Sequence, residues 1–359
     1  MNLVLPIKLA PSGEQTALLL KTMHQFNAAC NEIAETAFRL HTANKITLQK
    51  HVYYPIREKY GLSAQLTIRA IAKVAEAYKR DKSIQPTFKP ESAIVYDSRI
   101  LSFVGLEAVS LMTLDGRIEV PMILGAYQKA RSDRIRGQAD LVYRNGTFYL
   151  YATLEVPASD PIDPDGFLGI DLGIINIAVD SDGTAYSGAA VTHTREKHGA
   201  LRGALQRAGT RSAKRHLKRL SGKTARFCRN VNHCISKQIV TNAKGTGRGV
   251  ALEDLTGIRK RKRKTVSKAQ RGRLNAWGFY QLRQFIEYKA RLAGVPVVIV
   301  ASPYTSQTCP HCGYVHASNR PDRGSFLCGS CGCAGPSDHI AAMNIAARAA
   351  VNQPIVACR

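Results

Sequence analysis

The chain has 359 residues, 45% of them hydrophobic, which is enough to bury cores in roughly two or three domains and excludes a disordered or fibrous protein. Fifty-one Lys and Arg against 26 Asp and Glu leave a formal charge of +25, a balance that favours a polyanionic partner, with nucleic acid ahead of a membrane surface. Apolar runs fall far short of the roughly 20 residues of a spanning helix, and the first residues lack the features of a secretory signal, so a cytoplasmic protein with reduced cysteines is expected.

In chain order, the opening LVLPIKL alternates as a strand does, and Glu14 to Leu40 carries helical apolar spacing after Pro11 and Ser12. Further helices are expected around Leu48 to Tyr60 and Ala64 to Arg80. From Thr87 short β-rich runs take over, and LVYR and FYLYATLEV are joined by Asn145-Gly146, the dipeptide of a tight hairpin turn. The first half therefore predicts a β-domain with a helical insert. The Pro-, Asp- and Gly-rich stretch from Ala158 to Gly166 marks a domain boundary.

Charge changes across that boundary. Residues 1–165 hold 20 basic and 17 acidic side chains, whereas residues 166–359 hold 31 and 9, so the second half carries +22 of the total. Within it, FLGIDLGIINIAVD and TAYSG read as strands separated by a Ser-Asp-Gly turn. A basic helical region from about Val191 to Asn242 follows, then a short strand in RGVALEDL, a helix from Leu274 to Ala293, a buried strand in VPVVIVAS, and a last helix from near Asp338.

Three carboxylates kept in this basic half need a reason: Asp171 in GIDLG, Glu253 in VALEDL, and Asp338 before HIAAMNIAARA. Singly, each reads as a turn, cap or strand-end residue. Together they fit a cage for Mg²⁺, a hard cation that prefers oxygen ligands, and two such ions can clamp both the attacking and the leaving oxygen of a phosphodiester. The order strand, strand, strand, helix, strand, helix, strand, helix is that of the RNase H-like fold, with the first acid mid-way along the first strand and the second ending the fourth.

Cys309-Pro-His-Cys312 is followed after fifteen residues by Cys328-Gly-Ser-Cys331, a spacing that can set four thiolates tetrahedrally around one structural Zn²⁺. His311 and Cys333 are spare candidates, the latter in place of Cys331. Residues 197–230 contain eleven Lys or Arg and no acid, and Arg207, Arg211, Lys214, Arg215, Lys218 and Arg219 recur at helical spacing suited to a phosphate backbone. Arg259, Lys260 and Arg261 open a run of six like charges with the same expected role or a merely solubilising one. Trp277, Phe279, Tyr280, Phe285 and Tyr288 are spaced for one helix and are expected mostly in the core; His233 and Cys228 are read as core or backbone-contacting residues.

The blocks GIDLGIINIAVDSDG, VALEDLTGIRKR, LNAWGFYQLRQFIEYKARLAGVPVVIV, SPYTSQTCPHCG and DHIAAMNIAARA resemble, in order, the motifs of the TnpB family, the RNA-guided nucleases of insertion sequences related to type V CRISPR effectors. The resemblance is strong over the C-terminal half and rests on layout over the N-terminal half. It implies a multi-domain α/β architecture: a β-barrel wedge domain over residues 1–165 with a helical recognition insert at about 12–82, a RuvC nuclease over 166–302, a zinc ribbon over 303–337 and a RuvC C-terminal helix over 338–359. It further implies a guide RNA, a double-stranded target DNA, cleavage with Mg²⁺ held by Asp171, Glu253 and Asp338, zinc on Cys309, Cys312, Cys328 and Cys331, a monomer on its RNA, and association with the prokaryotic nucleoid. One departure concerns the third motif, where Ile340 replaces the usual first Asn while Asn344 is kept, which touches the support of Asp338. An RNA-guided binding regulator without cleavage and a transposase are the alternatives.

Overall fold

A computed structural model describes residues 1–257 and 278–351, and divides into two compact units, Met1–Pro157 and Ala158–Arg359. The division falls eight residues ahead of the composition boundary at 165. Backbone and side-chain bonds explain why: Ser159 Oγ donates to the Leu292 carbonyl, Ile162 N to that of Gly294, and Asp165 N to that of Gly247, so the Pro/Asp stretch lies along the second unit.

The first unit is a seven-stranded antiparallel sheet in the order β2-β6-β7-β1-β5-β4-β3. Its strands are β1 (Asn2–Leu9), β2 (Ile94–Tyr96), β3 (Leu101–Val104), β4 (Ala108–Thr113), β5 (Gly116–Ile123), β6 (Ile135–Arg144) and β7 (Thr147–Glu155). In β1 the alternation is direct, with Leu5, Ile7 and Leu9 buried and Val4 64% exposed. The β6–β7 hairpin turns at Asn145 (φ 51°) and Gly146 (φ 78°), the pair of positive angles that an Asn-Gly turn supplies.

Three helices, α1 (Gly13–Arg39), α2 (Lys45–Tyr60) and α3 (Ala64–Arg80), interrupt the sheet after β1, and a short α4 (Ala126–Lys129) follows β5. Helix α1 starts at a capping box: Gln15 N donates to Ser12 Oγ, and Ser12 N to Gln15 Oε1. It buries Leu19, Met23, Phe26, Cys30, Ile33 and Ala37, one stripe at alternating three- and four-residue steps.

The second unit is built on a five-stranded sheet in the order β10-β9-β8-β11-β12, made of β8 (Phe167–Asp171), β9 (Asn176–Asp180), β10 (Ala185–Ser187), β11 (Gly249–Glu253) and β12 (Val297–Val300). The first three strands are antiparallel neighbours, and β11 and β12 run parallel to β8. Its helices are α5 (Ala189–Ala208), α6 (Arg211–Leu220), α7 (Lys223–Gly245), α8 (Phe279–Ala293) and α9 (Ser337–Val351). The basic region is thus three helices, because Gly209 (φ 64°) and Gly222 (φ 75°) turn the chain left-handed between them.

Period-two alternation sorts the central strands between two layers. Leu168, Ile170, Val250 and Leu252 pack against Ile235 and Ile239 of α7 and Leu282 and Ile286 of α8, whereas Phe167, Ala251 and Val300 pack against Ile345 and Ala349 of α9. Helix α9 lies directly on the backbone of β8: a Cβ on Gly169 would stand 2.0 Å from the Ala342 carbonyl oxygen and 2.6 Å from the Ala346 nitrogen. Between β12 and α9 the chain makes the hairpin β13 (Ser325–Leu327) and β14 (Ala334–Pro336).

Gly169→Ala should therefore force α9 off the sheet and cost about 2–3 kcal/mol or more, the scale of core overpacking. Urea denaturation checks this, with Gly203→Ala in α5, where a Cβ meets only an arginine tip at 3.9 Å, as the comparison of opposite sign.

Candidate active site and metal centre

Asp171 and Glu253 are the last residues of β8 and β11. The register Ile170↔Leu252 puts them side by side on adjacent parallel strands, and the alternation above sends both side chains to the α9 face. Asp171 ends its strand, where the sequence expectation had it mid-way. Asp338 stands in the first turn of α9, where the helix dipole favours an anion. The three half-buried carboxylates line one cavity of about 410 Å³, together with Thr305, Arg320 and Ser337.

The cavity is short of positive charge. Burial first, then the charges of Glu253 and Asp338, push the Asp171 carboxyl up to about 7, against the weaker opposing pull of Arg320 and the Leu172 amide. Asn176 Nδ2 donates to Asp338 Oδ2 at 3.2 Å, and Thr305 Oγ1 donates to Glu253 Oε1. Ser337 Oγ is buried on the cavity wall with no hydrogen-bond partner among the described residues. All-oxygen donors, surplus negative charge and an unpartnered buried hydroxyl fit hard divalent cations. The neighbouring Asp254 faces elsewhere, accepting from Thr256 N and pairing with Arg283.

Cys309, Cys312, Cys328 and Cys331 bring their sulfurs within 4.8 Å of one another, a cluster that fits one zinc ion. Each knuckle ends in a left-handed glycine, Gly313 (φ 74°) and Gly332 (φ 73°), whose amides donate back to the carbonyls of Cys309 and Cys328. Burial would raise Cys309, but the amides of Cys312 and His311 and the neighbouring thiols draw it down to about 6. Cys333 stands outside the sulfur cluster, half-buried against it, and His311 is exposed.

Several contacts were not legible beforehand. Ile340 is buried among Cys309, Phe326 and Cys328, so the residue in the place of the family's Asn fastens α9 to the ribbon. Support of Asp338 comes from Asn176 instead. Asn344 donates to the carbonyls of Thr305 and Thr308 at 2.8 Å each, fixing the segment that carries the Glu253 partner. Arg320 reaches the carboxylates from the ribbon, though nothing in its local sequence marks it.

Arg207, Arg211, Lys214, Arg215, Lys218 and Arg219 are exposed on α5 and α6, while Arg259, Lys260, Arg261 and Trp277 lie outside the described residues. The aromatic expectation is corrected. The buried face of α8 is Leu282, Ile286 and Ala290, Tyr280 is 61% exposed, and Phe285 stacks on His233 at 3.9 Å with Tyr288 edge-on. A three- or four-residue step puts Phe279 on this stripe, packed against the core, while Tyr280, Phe285 and Tyr288 fall beside it.

A family model described as Cas12f1-like, TNB domain matches residues 279–345. The CRISPR-associated endodeoxyribonuclease Cas12f1 of Sulfoacidibacillus thermotolerans is 28% identical over 68% of this chain and 63% of its own length. A TnpB-like protein of Methanocaldococcus jannaschii is 35% identical over 36% of this chain and 45% of its own. The putative RNA-guided DNA endonuclease InsQ of Escherichia coli is 23% identical over 89% and 86%. The chain thus spans less than two thirds of the Cas12f1 relative. Among solved structures, a Cas12f1-sgRNA-target DNA complex superposes with a TM-score of 0.58 at 16% identity, covering 91% of this chain and 82% of that one, a likeness of fold. The resemblance to the TnpB family is borne out, the fold is like that of the chain in the Cas12f1-sgRNA-target DNA complex, and residues 279–345 match a TNB domain. Among the described residues no helix is long and apolar enough to cross a membrane.

Two outcomes follow from these centres. Metal analysis should find one zinc per chain in the wild type and in Cys333→Ser, and none in Cys328→Ser or Cys331→Ser. The raised Asp171 gives a pH effect of definite sign: folded protein holds this proton more tightly than unfolded chain, so its contribution to stability is full below about 4 and is lost as pH rises through about 7. Melting curves in chelator from pH 4 to 8 should show this decline, Asp171→Asn should flatten it, and Mg²⁺ should offset it in the wild type alone.

Proposed function

We propose that this chain is an RNA-guided DNA endonuclease of transposable-element origin, hydrolysing target DNA at the cavity of Asp171, Glu253 and Asp338. The observation that carries the reading is the register of β8 and β11, which sets two acids side by side beneath a third at a helix start. The strand order with β8 central supports an RNase H-like (RuvC) core into which the zinc ribbon is inserted. The first unit is read as the wedge domain, with α1 to α3 as its recognition insert. The relatives' names support the guide RNA and the DNA target.

Asp171, Glu253 and Asp338 would hold two Mg²⁺ ions, which when bound supply Lewis acidity to the scissile phosphate and acidify water. The protein's own part is positioning. Thr305 orients Glu253, Asn176 orients Asp338, and the α9 N-terminus offsets their charge. Arg320 brings a fixed cation to the cavity from the ribbon, where it can meet a phosphate oxygen. The basic faces of α5 and α6 supply backbone attraction without sequence preference, as expected where base pairing reads the sequence.

Protein expressed with its flanking DNA should co-purify with a discrete RNA, and that complex should cut a matching plasmid only with a divalent cation. Asp171→Ala should lower the cutting rate by at least about a thousandfold, a loss on the scale of removing a principal transition-state interaction, while leaving RNA and DNA binding intact. A complex that binds target and cuts with no metal, or an Asp171→Ala protein that cuts as well as wild type, overturns the reading.

A further inference from the structure

A groove of about 530 Å³ runs between α5 and α7 and is closed at one end by the start of α8 and the β8–β9 loop. None of the residues above has a use for it. Its α5 wall presents Arg195, His198 and Arg202, which a helical repeat puts on one face, and among the described residues its lining contains no acid. His198 Nδ1 and Thr224 Oγ1 lie 2.8 Å apart, tying that wall to α7 across the groove. Its inner surface is apolar, with Ile177, Val191 and the ring of Phe279. A cavity of this size holds a small organic molecule, and a basic rim over an apolar floor matches the two halves of a nucleotide.

Position narrows the ligand further. Ile174 lines both this groove and a second cavity of about 520 Å³ that shares Asp171, Arg320 and Asp338 with the carboxylate cavity, so groove and carboxylates lie on either side of one loop. The stretch 197–230, with eleven Lys or Arg and no acid, supplies much of the groove wall, from His198 to Cys228. We propose that the groove seats one unpaired nucleotide of the DNA strand that lies in the carboxylate cavity. The phosphates flanking it meet Arg195 and Arg202, which a seven-residue helical step separates by about 10 Å, and its base rests on the apolar floor beside Phe279. The identification of the strand as DNA rests on the nuclease reading; the nucleotide pocket does not.

Gly199 gives a clean test. It lines the groove, a Cβ there meets nothing within 4 Å, and a leucine favours the helix over glycine, so Gly199→Leu fills the space without harming the fold. Gly203→Leu, on the same helix and outside the lining, is the control. Binding of a fluorescent single-stranded oligodeoxynucleotide to the full chain, in chelator so that no cleavage enters, should weaken about tenfold in Gly199→Leu, as for loss of one stacked base, and stay unchanged in Gly203→Leu. The double variant Arg195→Ala, Arg202→Ala should lower the slope of log Kd on log salt by about 1.4, two phosphates' worth for a single strand. Wild-type affinity in Gly199→Leu, an unchanged salt slope, or tight binding of the matching oligoribonucleotide without the oligodeoxynucleotide overturns the proposal. A chain that cuts nothing with any metal sinks the nuclease reading and leaves this binding result standing.

Discussion

Three carboxylates in one partly buried cavity repel one another, and the second unit is organised around holding them there. Burial first, and then the charges of Glu253 and Asp338, hold the Asp171 carboxyl above its ordinary range. Strand register alone forces Asp171 and Glu253 together, since neither can turn away without slipping β8 against β11 and moving every core side chain of the pair to the other face. Gly169 lets α9 sit on the strand, and through α9 it brings Asp338.

The ribbon is tied into the same arrangement. It occupies the chain between β12 and α9, and β14 (Ala334–Pro336) runs directly into the start of α9. Ile340, two residues after Asp338, is buried with two of the clustered cysteines. A structural metal would therefore fix an acid that is not among its ligands, by the shared packing of one isoleucine. Asn344 and Thr305 do the same for Glu253 through hydrogen bonds. Ile340 thus gives α9 apolar anchorage to the ribbon, while Asn176 supplies the polar contact to Asp338.

Local pattern made much of this readable. The β1 alternation, the Asn145-Gly146 turn and the stripe of α1 depend only on near neighbours, and so do the two CxxC knuckles with their glycines. Asp171, Glu253 and Asp338 could be singled out because each sits beside an apolar run that names its element. Arg320, Thr305 and Asn176 carry no such mark, because what brings them to the cavity is tertiary packing across many residues. Tyr280, Phe285 and Tyr288 of α8 show the opposite failure: their spacing is helical, but the apolar stripe belongs to Phe279, Leu282, Ile286 and Ala290, and spacing cannot say which of two neighbouring stripes faces inward. The basic stretch looked like one helix, and Gly209 and Gly222 divide it by adopting angles that other residues resist.

The distribution of charge then has a consequence for order of events. Exposed Lys and Arg on α5 and α6 draw in a phosphate backbone, whereas the carboxylate cavity repels it. Nucleic acid can lie along the basic helices in the absence of any cation, but entry of a phosphate between Asp171 and Asp338 requires positive charge beyond what Arg320 supplies. On the proposed function, a cation and a phosphate entering this cavity would each raise the other's affinity by the same factor, as linkage demands. Under the proposed function the fold would separate a basic surface that attracts phosphate without sequence preference from a cavity that would accept a strand only together with cations.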